Sequence, residues 1–124
     1  MKKAWLALVL CTPLMAAAQA ANPWDGKWQV AFKTERGTDR DGTVIVNGNA
    51  GSWDLNVAQR NDPCAGRAYP IEVQRATAEE LVFKVARSTT LAGCQDNTMR
   101  MKATDANTLE GTLLGRPFKM TKAN

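Results

Sequence analysis

The chain has no histidine and only three cysteines among 124 residues. Without histidine it lacks the side chain that most often acts as general base, neutral metal ligand or partner of a catalytic serine. A thiol nucleophile needs a base or orienting partner, most often that same missing residue. Cys11, Cys64 and Cys94 are far apart, so the CxxC spacing of a zinc site is absent as well. The segment TDRDG (38–42) falls short of the D-x-D-x-D-G spacing of a calcium loop. The chain shows no internal repeat, no low-complexity tract and no convincing long helical pattern. These absences predict a protein that is not an enzyme and uses no metal or cofactor.

Its longest apolar run, Ala4 to Met15, is shorter than the roughly 20 residues needed to span a bilayer. No membrane span is expected. Two lysines precede the run, and the small-residue exit Ala18-Gln19-Ala20 follows it. This is the layout of a secretory signal peptide over residues 1–20, cleaved before Ala21. Lipidation of Cys11 is disfavoured, because Leu10 stands where a lipoprotein signal wants a small residue. The mature chain is then one small domain, 21–124, in the periplasm or secreted. Removing Lys2 and Lys3 leaves 14 basic against 12 acidic residues, a net charge of +2. So mild a charge argues against nucleic acid, which calls for a clear basic stripe.

Cys11 leaves with the signal, and the exported protein retains Cys64 and Cys94. An even pair in an oxidising compartment predicts a disulfide.

The rest of the mature sequence alternates apolar and polar residues in short runs, the mark of half-buried strands. Strands are expected at 27–33, 43–48, 52–58, 71–76, 81–87, 98–104, 109–114 and 117–122. Residues 34–42 are expected to form a polar turn, and Asn47-Gly48 is a hairpin signal. Pro63, Gly66 and Pro70 are expected to break any ladder in 59–70. Thr77-Ala78-Glu79-Glu80 matches a helix capping box over 78–87. The alternating Leu81, Phe83 and Val85 outweigh it and favour a strand. The fold class is therefore all-β, with about eight short antiparallel strands in an up-and-down barrel; a β-sandwich is the alternative.

Asp39 and Asp41 are the closest paired carboxylates, and their place among Arg36, Arg40 and Gly42 reads as a solvated hairpin turn. Glu79 and Glu80 point to opposite faces of a strand. Arg100, Lys102, Lys119 and Lys122 form a basic outer face if their strands are neighbours.

Gly26-Lys27-Trp28 resembles the Gly-x-Trp signature that opens the first strand of lipocalins and similar calycin barrels, avidins included. The resemblance implies that Trp28 closes one barrel end and that the opposite mouth takes a small apolar ligand. Ala65-Gly66-Arg67-Ala68-Tyr69 is similar to the Ser-Gly-x-x-Tyr inhibitory loop of one family of periplasmic lysozyme inhibitors, with alanine in place of serine. That likeness implies a protein inhibitor.

The functional expectation is an exported, monomeric, non-enzymatic binding module. It would meet an unknown protein or envelope component through loops 59–70 and 88–97, which the disulfide joins. Arg67, Tyr69, Gln95 and Asp96 are the candidate partner contacts, and Trp28, Trp53 and Phe83 the candidate core. The alternative is a small carrier whose pocket is lined by Trp53, Phe83, Met99 and Met101.

Overall fold

Period-two alternation becomes eight strands: β1 (Gly26–Lys33), β2 (Asp39–Asn47), β3 (Ala50–Leu55), β4 (Ala68–Ala76), β5 (Glu80–Val85), β6 (Asn97–Asp105), β7 (Thr108–Leu113) and β8 (Arg116–Lys122). One helical turn, α1 (Arg87–Thr90), lies between β5 and β6. The computed structural model describes residues 22–57 and 61–123. The expected signal peptide lies outside the described residues. Each strand pairs antiparallel with its sequence neighbours, and β8 pairs with β1 to close the barrel. Closure leaves no open sheet edge among the described residues, and the barrel replaces the sandwich alternative. Among the described residues no helix is long and apolar enough to cross a membrane.

The inward residues pack as the alternation predicts. Trp28, Val30 and Phe32 of β1, Trp53 and Leu55 of β3, and Met99 and Met101 of β6 are buried. Trp53 stacks on Phe118 at 5.1 Å between ring centroids and meets Phe83 at 5.9 Å, while Phe118 also stacks on Phe32 at 5.7 Å. Aromatic rings thus occupy the barrel centre, as expected for an eight-stranded barrel, whose interior side chains can fill.

Because the strands run up and down, successive connections alternate between the two barrel ends. One end is capped by tryptophan. The Trp28 indole donates to the Trp24 carbonyl at 2.9 Å, and the Trp24 indole donates to the Thr77 carbonyl in the β4–β5 turn at 2.7 Å. Both rings are buried, so the polar edge of each needs the partner it has. The other end gathers the β1–β2, β3–β4, β5–β6 and β7–β8 connections and forms the mouth.

Several boundaries differ from the sequence reading. The polar turn is confined to about 34–38, and β2 begins at Asp39. Gly37 adopts φ +76°, which glycine allows without cost, so the chain reverses early. Lys33 then pairs with Asp39 at 2.9 Å across the two strands. Here the ladder runs past the core, both faces meet water, and alternation disappears from the sequence while the hydrogen bonds continue. Pro70 does not end a ladder but lies within β4, on its exposed face, where its carbonyl accepts the Ala86 N–H at 2.9 Å. The capping-box residues close a turn instead of starting a helix. The Thr77 hydroxyl accepts from the Glu79 and Glu80 N–H groups at 3.3 and 3.2 Å, and β5 follows directly.

On the outer face, Glu110 of β7 pairs across to Lys102 on one side and Lys119 on the other. The expected basic face is therefore interleaved with acid rather than continuous.

Candidate functional site

The barrel mouth is built around the Cys64–Cys94 disulfide, with Cα atoms 5.7 Å apart. Each cysteine is set by its own loop. The Asp62 carboxylate accepts the Cys64 N–H at 2.9 Å, and the Cys94 N–H donates to the Leu91 carbonyl at 3.2 Å. Gly66 at φ +72° approaches the Val57 carbonyl so closely that a Cβ would lie 2.8 Å from its oxygen. A side chain there would force apart the two arms of the β3–β4 loop.

A cleft of about 530 Å³ opens beside the bridge, lined by residues that include Arg67, Tyr69, Gln95 and Asp96, all four candidate contacts. Their roles differ. Arg67 is exposed and anchored by its Nε donating to the Pro63 carbonyl at 2.7 Å. Gln95 and Asp96 are exposed on the β5–β6 loop. Tyr69 is not a loop residue: it belongs to β4, is 3% exposed, and faces the disulfide. Its hydroxyl donates to the Cys64 carbonyl and lies 4.0 Å from the Cys94 sulfur. Its ring forms a wall, so it meets an occupant only from within the cleft.

Asp96 fastens α1. Its carboxylate accepts the Ser88 N–H at 2.8 Å and the Ser88 hydroxyl at 2.9 Å. The Ser88 amide, then the Ser88 hydroxyl, hold the carboxyl below its ordinary value, with Lys84 adding to the effect.

A further residue of the mouth, Arg87, is not among the expected contacts. This half-buried guanidinium sits 5.9 Å above the Trp53 ring and 5.5 Å from the Tyr69 ring. One terminal nitrogen donates to the Gln95 carbonyl at 3.4 Å and to the Asn97 side-chain oxygen. Burial draws its pKa below the ordinary value, opposed by electrostatic contributions from Tyr69, Asp96 and Asp62. A signal was present. Arg87 continues the inward register of Leu81, Phe83 and Val85, so a cation appears where the pattern calls for a core residue.

Leu114 is not among the expected contacts either. It lies at the tip of the β7–β8 hairpin with φ +51°, followed by Gly115 at +78°, and is 81% exposed. Both central residues of such a turn need positive φ, which favours Asn and Gly and penalises leucine. Its signal was the Leu113-Leu114 pair, which breaks alternation and forces one leucine outward. A second cleft of about 750 Å³, lined by Phe32, Arg36, Arg40 and Arg116 among others, adjoins the first. The two share Leu55, Val57, Asp62, Leu113 and Leu114.

The four residues of the expected carrier pocket, Trp53, Phe83, Met99 and Met101, are at most 1% exposed and packed in the core. Only Trp53 also reaches the mouth cleft. Trp28 lies in the core near the opposite end, below Trp24. Among the described residues, no three His, Cys, Asp or Glu side chains gather closely enough to hold a metal.

No protein-family model and no curated protein matches the chain. Among solved structures it is similar to a redesigned β barrel, at 14% identity and a TM-score of 0.49, over 86% of this chain and 96% of that one. The closed eight-stranded antiparallel barrel is compatible with the calycin-like resemblance of Gly26-Lys27-Trp28.

Proposed function

We propose that the protein is an exported, monomeric, non-enzymatic binding module that engages another protein, or an envelope component, through the mouth of the barrel. The observation that supports this reading is the convergence of two sequence-distant loops at one cleft. Arg67 from the β3–β4 loop and Gln95 and Asp96 from the β5–β6 loop line a single concavity beside the disulfide. A bridge at that place keeps both loops ordered before a partner arrives, which lowers the entropy cost of association. The surface also has the composition of a recognition patch. Arginines and an exposed leucine surround an aromatic floor, and Trp, Tyr and Arg are the residues that most often carry binding energy. Export and residence in the periplasm or outside the cell rest on the signal-like segment 1–20, together with the disulfide.

The test is affinity capture from a cell-envelope extract. Wild-type protein should retain a specific partner, Arg67→Glu should reduce capture at least tenfold, and Lys102→Glu on the barrel wall should leave it unchanged. Equal capture by all three, or loss only with Lys102→Glu, contradicts the reading.

A second reading, a carrier of a small ligand, is favoured by one observation. The 530 Å³ of the mouth cleft falls within the roughly 300–1,000 Å³ of ordinary small-molecule sites. Its ligand would lie over Trp53 and Tyr69, not among the sealed Phe83, Met99 and Met101. Native mass spectrometry separates the two: a carrier purifies with a bound small molecule that denaturation releases, and a protein-binding module purifies empty.

A further inference from the structure

Among the described residues, the two clefts are lined by six cations, Lys33, Arg36, Arg40, Arg67, Arg87 and Arg116, against three carboxylates. Those carboxylates already have partners: Glu35 pairs with Arg116 at 3.6 Å, Asp62 accepts the Cys64 N–H, and Asp96 holds Ser88. None of them forms an ion pair with Arg87. Among the described residues, ion pairs engage Lys33, Arg75, Lys84 and Arg116. The protein contacts of Arg87 fall on one terminal nitrogen, which leaves Nε and the second terminal nitrogen with no acceptor among the described residues. Its guanidinium carbon lies 5.9 and 5.5 Å from the Trp53 and Tyr69 ring centroids, and these rings together with the two hydrogen bonds restrict the group before any ligand arrives. A planar fork of this kind matches a carboxylate, which it can meet through two parallel hydrogen bonds. Around it the walls are aliphatic, with Leu55, Val57, Leu113 and the exposed Leu114.

We propose that the mouth receives a protruding peptide segment of a partner protein, in which a carboxylate meets Arg87 and a neighbouring aliphatic side chain packs on Leu113 and Leu114. The assignment rests on the reading of the mouth as a protein-binding surface and names the chemistry of what enters it. Charge complementarity selects the acid: once the Lys33–Asp39 and Arg116–Glu35 pairs are set aside, four arginines, Arg36, Arg40, Arg67 and Arg87, face two carboxylates, Asp62 and Asp96. The aliphatic walls select the neighbour. A phosphate would leave those walls unused.

The experiment is an NMR titration of 15N-labelled protein with three probes: Ac-Leu-Asp-Leu-NH2, Ac-Leu-Asn-Leu-NH2 and inorganic phosphate. The aspartyl peptide should move the Arg87 Nε–H and Trp53 indole signals, and the asparaginyl peptide should bind at least tenfold more weakly. Arg87→Gln should weaken the aspartyl peptide at least tenfold. Because Arg87 also packs on two rings, Leu114→Asn serves as the second variant. Asparagine suits the left-handed backbone, so the barrel stays folded while peptide binding drops several-fold. Equal binding of the two peptides, no response at Arg87, or the same shifts with phosphate alone would overturn the assignment. Failure of the peptide while the partner is still captured by the wild type overturns the carboxylate assignment and leaves the docking surface standing. Peptide binding with no partner captured overturns the docking reading alone.

Discussion

Leu114 sits in a backbone conformation that costs a leucine about 1 kcal/mol, and its side chain remains 81% exposed. Folding gains little from it in return. Leu114→Asn is therefore expected to raise stability by about 1 kcal/mol, read as a higher midpoint in urea unfolding. An unchanged or lower midpoint would show that leucine is at ease in the turn. Asp96 makes a prediction in pH. Its folded-state value is depressed by Ser88, so the stability it contributes is present above the ordinary carboxylate value and is lost as pH falls through the lower folded value. An NMR titration of the Asp96 carboxyl should find it below the usual range, and Ser88→Ala, which removes the hydroxyl but keeps the amide, should return it part of the way. At this scale the sequence was only partly legible. Gln95, Asp96 and Arg67 could be placed at the mouth from their neighbourhood to the cysteines. Tyr69 was misplaced, because Pro70 suggested a loop; β4 tolerates this proline because its ring is exposed and its missing N–H lies past the last β4–β5 pair, Ile71 with Val85. Arg87 and Leu114 were hidden because each breaks alternation by a single residue at the end of a strand, where core burial stops enforcing the pattern.

The strands were legible wherever one face is buried. Trp28, Val30 and Phe32, or Met99 and Met101, announce their elements because every second residue must avoid water. Strand ends beyond the core were not, and β2 extends through Asp39, Arg40 and Asp41 with no apolar signal. Close strand approach also left no readable trace except glycine. At Gly51 a Cβ would stand 1.9 Å from the Ile45 carbonyl oxygen, a backbone atom held by the β2–β3 ladder. Gly51→Ala should cost about 2 kcal/mol or more by forcing that pairing apart. Urea denaturation checks it, and a loss below about 0.5 kcal/mol would mean that the ladder yields easily.

Closure of β1 against β8 makes the barrel a single unit whose two ends have different roles. One is sealed by Trp24 and Trp28, and the other carries all the connections long enough to shape a surface. Cysteine parity made the bridge legible, while the meeting of its loops with the β7–β8 hairpin depends on three-dimensional closure and could not be read along the chain. The bridge closes a 30-residue separation, for which chain entropy gives about 3.5 kcal/mol. Replacing both cysteines by serine should therefore lower unfolding free energy by about 2–4 kcal/mol. It should also raise hydrogen exchange in 86–96 more than in β1. A fully stable double variant would mean that the loops hold themselves.

The central claim is that the stapled mouth, and not the barrel wall, meets the partner. Photo-crosslinking tests it most directly, with a benzoylphenylalanine placed at Leu114 on the rim or at Ile45, the half-exposed apolar residue on the wall. The account predicts a defined adduct from position 114, abolished by reducing the disulfide, and none from position 45. Adducts from 45 with none from 114 would contradict it.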